Sequence, residues 1–137
     1  MGSVVVGYDG SDSSKAALAQ AVDLARVLGD EVALVFGYSP PGIWGGEIAE
    51  HEEAIEEFGE KLMGEAKQQL QTDGVEVVYE LVPKRGAEAL LEVARRRDAR
   101  MIVVGGAGKA PLKGVILGTT PYKLLHQTER PVLVVPA

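Results

Sequence analysis

A chain of 137 residues with 14 Lys plus Arg against 20 Asp plus Glu, net charge −6, is long enough for one domain built around one core. With 46% hydrophobic and 25% charged residues it has the composition of an ordinary soluble globular protein, and its acidic balance speaks against bulk nucleic-acid binding. The absence of Cys excludes disulfide scaffolds, thiol catalysis and Cys-bound metal centres; no apolar run reaches the ~18–20 residues of a membrane span and no signal-peptide pattern opens the chain, so a cytoplasmic location is expected.

Val4-Val5-Val6 is a short β-branched run, apolar on both faces, as expected of a strand inside a parallel sheet. It stops at the turn Gly7-Tyr8-Asp9-Gly10. Ser11-Asp12-Ser13-Ser14 then offers side-chain oxygens to the free N–H groups of a helix start. Ala17, Leu18, Ala21, Leu24, Ala25 and Leu28 follow at helical spacing, and Gly29 ends the helix. A second strand spans Glu31 to Phe36. The segment Tyr38 to Gly46, with two prolines and three glycines in nine positions, cannot be regular structure.

A long helix is expected from about Glu47 to Gln71, with Ile55, Phe58, Leu62, Ala66 and Leu70 on one face. Seven glutamates between Glu47 and Glu60 crowd its N-terminal half, where negative charge suits the helix dipole. Gly59 and Gly64 each weaken it by about 1 kcal/mol relative to Ala. Val75 to Val82 alternates as a third strand. Ala87, Leu90, Leu91 and Ala94 mark a third helix, whose closing Arg95-Arg96-Arg97 reads as capping and solubilising charge rather than a nucleic-acid patch. Met101 to Val104 is a fourth strand, a helix runs from about Pro121 to Gln127, and Pro131 to Val135 is the last strand. Five strands alternating with four helices imply parallel strands, right-handed crossovers and a sheet covered on both faces. A single domain, residues 1–137, is expected.

In such sheets ligands bind beyond the carboxyl ends of the strands, where strand order reverses. The segment after the fourth strand is the informative one, with five glycines between Gly105 and Gly118 in a chain whose glycine content, 17 residues, is well above the usual ~7%. Backbone N–H groups of such a loop can form a nest around phosphate oxygens. At its end Thr120 is placed to cap the next helix and Pro121 to be its first residue. Between Ala99 and Thr128 lie Arg100, Lys109, Lys113 and Lys123 and no acid, so an acidic protein surrounds this loop with positive charge. A phosphate site is the reading, with a long surface loop carrying solubilising lysines as the alternative. The P-loop pattern fails for want of Gly-Lys-Ser/Thr at the right spacing, and G-x-G-x-x-G fails at Pro111.

The spacing that does fit is Gly105-x2-Gly108-x9-Gly118-Thr119. It resembles the nucleotide-binding motif of the universal stress protein family, G-x2-G-x9-G-(S/T), and the opening Val4-Val5-Val6-Gly7-Tyr8-Asp9-Gly10-Ser11 and closing Pro131 to Pro136 resemble that family's first and last strands. The resemblance implies a three-layer α/β/α domain of the adenine nucleotide alpha-hydrolase-like (Rossmann/flavodoxin-like) kind, its five-stranded parallel sheet in the order 3-2-1-4-5. It implies that Gly105, Gly108, Gly118 and Thr119 hold the phosphates of ATP, with Thr120 able to add a hydroxyl. Asp9 would lie near the ribose, for a hydroxyl or a bound Mg²⁺; an Asx-type turn or helix cap is the alternative role for the same carboxylate. Gly37 stands where the family reads adenine with main-chain atoms. The sequence departs from the family at Gly106-Ala107, where ATP-binding members often carry Ser or Thr and then Arg or His, so the affinity either leans on Lys109 and Lys113 or is weak.

Catalysis has little to work with. Asp9, Asp12 and Lys109 are the groups near the expected pocket, His51 and His126 lie in helices away from it, and no triad, carboxylate pair or metal-ligand cluster is evident. The reading is therefore an ATP-binding regulatory or sensor module of the stress response with little or no turnover. A nucleotide-independent interaction module, a weak ATPase and a flavin carrier are the alternatives. A receiver domain is excluded because Leu81-Val82-Pro83 offers no phosphoacceptor Asp. With the order 3-2-1-4-5, Val132 to Val135 becomes an exposed apolar edge, and a homodimer through that edge is expected.

Overall fold

The computed structural model describes the backbone of residues 2–38, 48–69, 74–106 and 119–136, and the side chains of these apart from 48–56, 69, 119 and 120. The elements alternate β1 (Ser3–Gly7), α1 (Asp12–Leu28), β2 (Glu31–Gly37), α2 (Ile48–Gln69), β3 (Val77–Val82), α3 (Gly86–Arg96), β4 (Met101–Gly105), α4 (Thr119–Gln127) and β5 (Val132–Val135). All four strand pairings are parallel, in the order β3-β2-β1-β4-β5. The expected order and class are thus observed.

The central strand explains the layering. Val4, Val5 and Val6 are fully buried, Val4 and Val6 toward a cluster containing Ala17, Leu18 and Ala21 of α1 and Leu62 and Ala66 of α2, Val5 toward Leu90, Val93 and Ala94 of α3 and Leu124 of α4. A strand apolar on both faces needs helices on both, which is the three-layer arrangement. Removing each such side chain from water contributes roughly 1.5–3 kcal/mol.

α1 starts and stops where its sequence says it should. Ser11 is its N-cap, with Oγ accepting from the Ser14 N–H at 3.2 Å. Gly29, at φ 72°, ends it in a left-handed cap whose N–H donates to the Ala25 carbonyl. α2 is continuous through both glycines. At Gly59 an added Cβ would meet Leu81 Cδ2 at 2.6 Å and Phe36 Cδ1 at 2.9 Å, so this glycine lets the helix lie close on the sheet; Gly64 faces open space. The buried stripe of α2 is therefore Gly59, Leu62, Met63 and Ala66, and Phe58 is half-exposed with its ring edge-on to Phe36 at 6.1 Å. Ile55 and Leu70, expected on the same face, lie outside the described side chains.

Several boundaries differ from expectation by a residue or two, among them β2 and β4, which run on to Gly37 and Gly105, and three element starts. β3 begins at Val77, two residues late, although Val75 is buried in the core beneath α1 and α2. β5 begins at Val132 rather than Pro131, whose carbonyl still accepts from Ile102. α4 begins at Thr119, so Thr120 is a helical residue instead of the cap and Pro121 sits third rather than first. Proline is tolerated there because N–H groups of the first turn have no intrahelical acceptor.

Arginines at the end of α3 pair with acids of the sheet. Arg97 donates from Nε to Glu80 and from Nη1 to Glu31, each at 2.8 Å, while Arg96 reaches Glu80 at 2.7 Å. Two of the three arginines at the end of α3 thus join β2 and β3 to the helix, a more specific task than dipole compensation.

Candidate nucleotide site

β1 lies between β2 and β4, and the chain leaves β1 for β2 on one side while β4 lies on the other, so order reverses at β1. The crevice at the carboxyl ends of these strands is where a ligand is expected. Register carries Gly37 and Gly105 past the end of β1: Gly7 is level with Val35, and Val6 with Val103.

The direction of their backbone groups follows from alternation along each strand. The Val35 carbonyl accepts from the Tyr8 N–H on the β1 side, and the Tyr38 N–H donates to Val82 of β3, both at 3.0 Å. Gly37, one residue before Tyr38, therefore presents its N–H and C=O toward the β1 side. The Gly106 N–H donates to Val135 of β5 at 2.9 Å, so Gly105 likewise faces β1. Main-chain groups of Gly37 and Gly105 flank the continuation of β1 from opposite sides.

That continuation is Tyr8-Asp9-Gly10-Ser11. Asp9 Oδ1 accepts from the Ser11 N–H at 2.9 Å, the Asp9 N–H donates to Ser14 Oγ at 3.4 Å, and Gly10 adopts φ +83°, which an L side chain rarely takes. The Asx-type turn considered as the alternative role for Asp9 is present. Ser14 Oγ in turn donates to the Ser11 carbonyl at 2.9 Å. These bonds fix the Asp9 carboxylate at the crevice between the ends of β2 and β4.

The glycines around the crevice have a packing reason. A Cβ at Gly105 would lie 2.6 Å from the Ser13 carbonyl carbon, and one at Gly37 would lie 2.7 Å from the Lys84 carbonyl oxygen and 2.8 Å from Ala89 Cβ. At Gly7 it would meet Leu90 at 3.1 Å. α1 and α3 are seated on these strand ends, and the absent side chains make room for helices. The missing side chains thus have a packing reason, while the N–H and C=O groups of Gly37 and Gly105 are directed toward the β1 side.

Two residues that sequence reasoning passed over belong to this site. Tyr8 continues the alternation of Val4 and Val6 and is buried in the same core as Leu62, Met63 and Ala66. Burial raises its phenol above the usual tyrosine range, helped by the nearby Glu65 and Asp9 carboxylates. Ser13, buried against Gly105, is the other, and its place third in the serine-rich helix start was the available signal.

Of the predicted site residues, Asp9, Gly37 and Gly105 come together at one end of the sheet. Thr119 and Thr120 form the first turn of α4, their side chains outside the described set. Gly108, Lys109 and Gly118, with Ala107, the segment 39–46 and the side chain of His51, also lie outside the described residues. His126 is exposed, its ring 4.5 Å from that of Tyr122.

The model of the universal stress protein family matches residues 1–136. The chain belongs to that family. A universal stress protein of Thermus aquaticus is 32% identical over 135 residues, covering 96% of both chains. Among solved structures, a universal stress protein in complex with cAMP is similar at 25% identity with a TM-score of 0.72, covering 98% of this chain and 96% of that one. The universal stress protein of Archaeoglobus fulgidus in complex with dAMP shares the fold at 22% identity and a TM-score of 0.73, covering 98% of both.

Proposed function

We propose that this universal stress protein binds an adenine nucleotide, ATP foremost, in the crevice at the ends of β1, β2 and β4, and acts as a regulatory or sensor module with little or no turnover. The observation that carries the reading is the pair of inward-facing main-chain segments at Gly37 and Gly105 on either side of Asp9. Main-chain groups at Gly37 suit the adenine edge and Asp9 a ribose hydroxyl. The phosphates would then fall to Gly105, Gly108, Gly118 and Thr119, with Lys109 and Thr120 adding charge and a hydroxyl. That relatives are seen with cAMP and dAMP supports an adenine ligand.

Mg²⁺ would arrive with the phosphates. Among the described residues no three acidic, His or Cys side chains converge to hold a metal, and one carboxylate plus phosphate oxygens is an ordinary Mg²⁺ environment. Asp9, one oxygen already in the turn, fits that role. No described helix is long and apolar enough to cross a membrane. The sheet ends at β5, which fits a homodimer through Val132 to Val135, with no nucleic-acid partner.

Denaturing the purified protein should release an adenine nucleotide, and the emptied protein should bind ATP in titrations against AMP and FMN. No binding of any adenine nucleotide at millimolar concentration refutes the reading. Gly118→Val should abolish ATP binding with the circular dichroism spectrum unchanged, and retained affinity would show the loop assignment to be wrong. A nucleotide-independent interaction module is the second reading, favoured by Gly106-Ala107 in the loop and by glycines whose small size is already required by packing.

A further inference from the structure

α2 reaches residues that adjoin the crevice at two points three residues apart on one face. Leu62 Cδ2 would lie 2.9 Å from a Cβ on Gly10, the residue after Asp9. Gly59 rests against Phe36, the residue before Gly37. Tyr8, the residue before Asp9, is buried beside Leu62, Met63 and Ala66, and Tyr38, after Gly37, stacks on Phe36 with ring centroids 6.3 Å apart. Gly37 is thus bracketed by the core residues Phe36 and Tyr38, and Asp9 lies between the core residue Tyr8 and Gly10, which Leu62 contacts.

We infer that α2 is a nucleotide-responsive element, coupled to the crevice through Leu62 against Gly10 and Gly59 against Phe36; the inference rests on the adenine-nucleotide reading of that crevice. The Asp9–Ser14 turn is tied by its own hydrogen bonds and moves as a unit, and with Gly10 held against Leu62 a displacement of the turn is passed to the helix. A close-packed contact transmits displacement instead of absorbing it. Coupling is reciprocal, so whatever binds the outer face of α2 changes nucleotide affinity by the factor with which nucleotide changes its own binding.

Amide exchange of residues 57–68, with and without saturating ATP, tests this in the full chain. Slowing by about fivefold or more, the lower end of ordinary coupling, is expected in the wild type. In Leu62→Ala the ATP dissociation constant should stay within about threefold, since Leu62 is not a predicted ligand contact, and the slowing should disappear. ATP binding established by calorimetry with no change in α2 exchange overturns the coupling alone, whereas absence of ATP binding overturns the nucleotide reading and the coupling with it. If Leu62→Ala folds poorly, Leu62→Met replaces it in a double-mutant cycle with Gly10→Ala. The Gly10→Ala increase in the unfolding constant should then differ by about fivefold or more between the wild-type and Leu62→Met backgrounds, and additive effects refute the contact as the link.

Discussion

Glycine at residue scale does several different jobs in this chain, and substitution separates them. At Gly105 an added methyl meets backbone and side chain of Ser13, an atom set that cannot swing away, so Gly105→Ala should destabilise the fold by about 1–3 kcal/mol, as overpacking does. At Gly64 nothing lies within 4 Å of the added Cβ, and the residue is exposed within α2. Gly64→Ala should therefore stabilise by about 0.5–1 kcal/mol through lost unfolded-state freedom and better helix propensity. Urea unfolding of the two variants should move the midpoint in opposite directions, and a shift of the same sign in both would refute the distinction. The sequence marked Gly64 as a position inside a helix and Gly37 and Gly105 as glycines bordering the expected pocket. It could not assign Gly105 or Gly37 to helix packing, because that depends on α1 and α3 crossing strand ends distant in the chain.

Elements are joined by ion pairs whose acid response can be stated. Asp30, buried between α1 and β2, accepts from Arg100 Nε and Nη2 ahead of β4 and from the Gly2 N–H at 3.0 Å ahead of β1, so one carboxylate ties the starts of three strands. The Arg100 hydrogen bonds hold its carboxyl below the ordinary carboxylate range, against the opposing effect of burial. A depressed folded-state pKa gives stability that is complete above the unfolded value near 3.9 and is lost as pH falls toward the lower folded one. Asp30→Asn should be less stable than wild type at pH 7 and should show a shallower loss of stability between about pH 4 and pH 2; parallel acid limbs in urea titrations would refute this. Arg97, bonded to both Glu80 and Glu31, should cost about 1.5–3 kcal/mol as Arg97→Met, while exposed Arg95→Met should stay within about 0.5 kcal/mol. The elements themselves were legible because apolar runs and turn residues are local signals. Which acids the arginines meet was not, since Glu31 lies 66 residues from Arg97.

For the whole molecule, the parallel sheet was legible from alternating elements and the strand order from the family resemblance, and Asp9, Gly37 and Gly105 do converge at the carboxyl ends of the strands. Tyr8 escaped notice, and Leu62 was legible only as a core position, because neither side chain carries a chemical signature until the turn is seen against α2. The same sheet geometry makes the proposed dimer testable. Ile102 N–H donates to the Pro131 carbonyl and Gly106 N–H to that of Val135, so residues 131, 133 and 135 face β4. By alternation Val132 and Val134 turn their N–H and C=O groups outward, a row unpaired among the described residues on a strand with apolar side chains. A second copy running antiparallel can satisfy that row across a two-fold axis, burying its own edge in the same step. Val134→Pro removes one outward donor without touching the β4 ladder, and proline is accepted on an edge strand. It should convert a dimer to a monomer in sedimentation at micromolar concentration while the sheet remains folded. Leu133→Pro breaks the β4 pairing instead and should unfold the edge. A wild-type chain that sediments as a monomer, or a Val134→Pro variant that remains a dimer, would place the contact elsewhere.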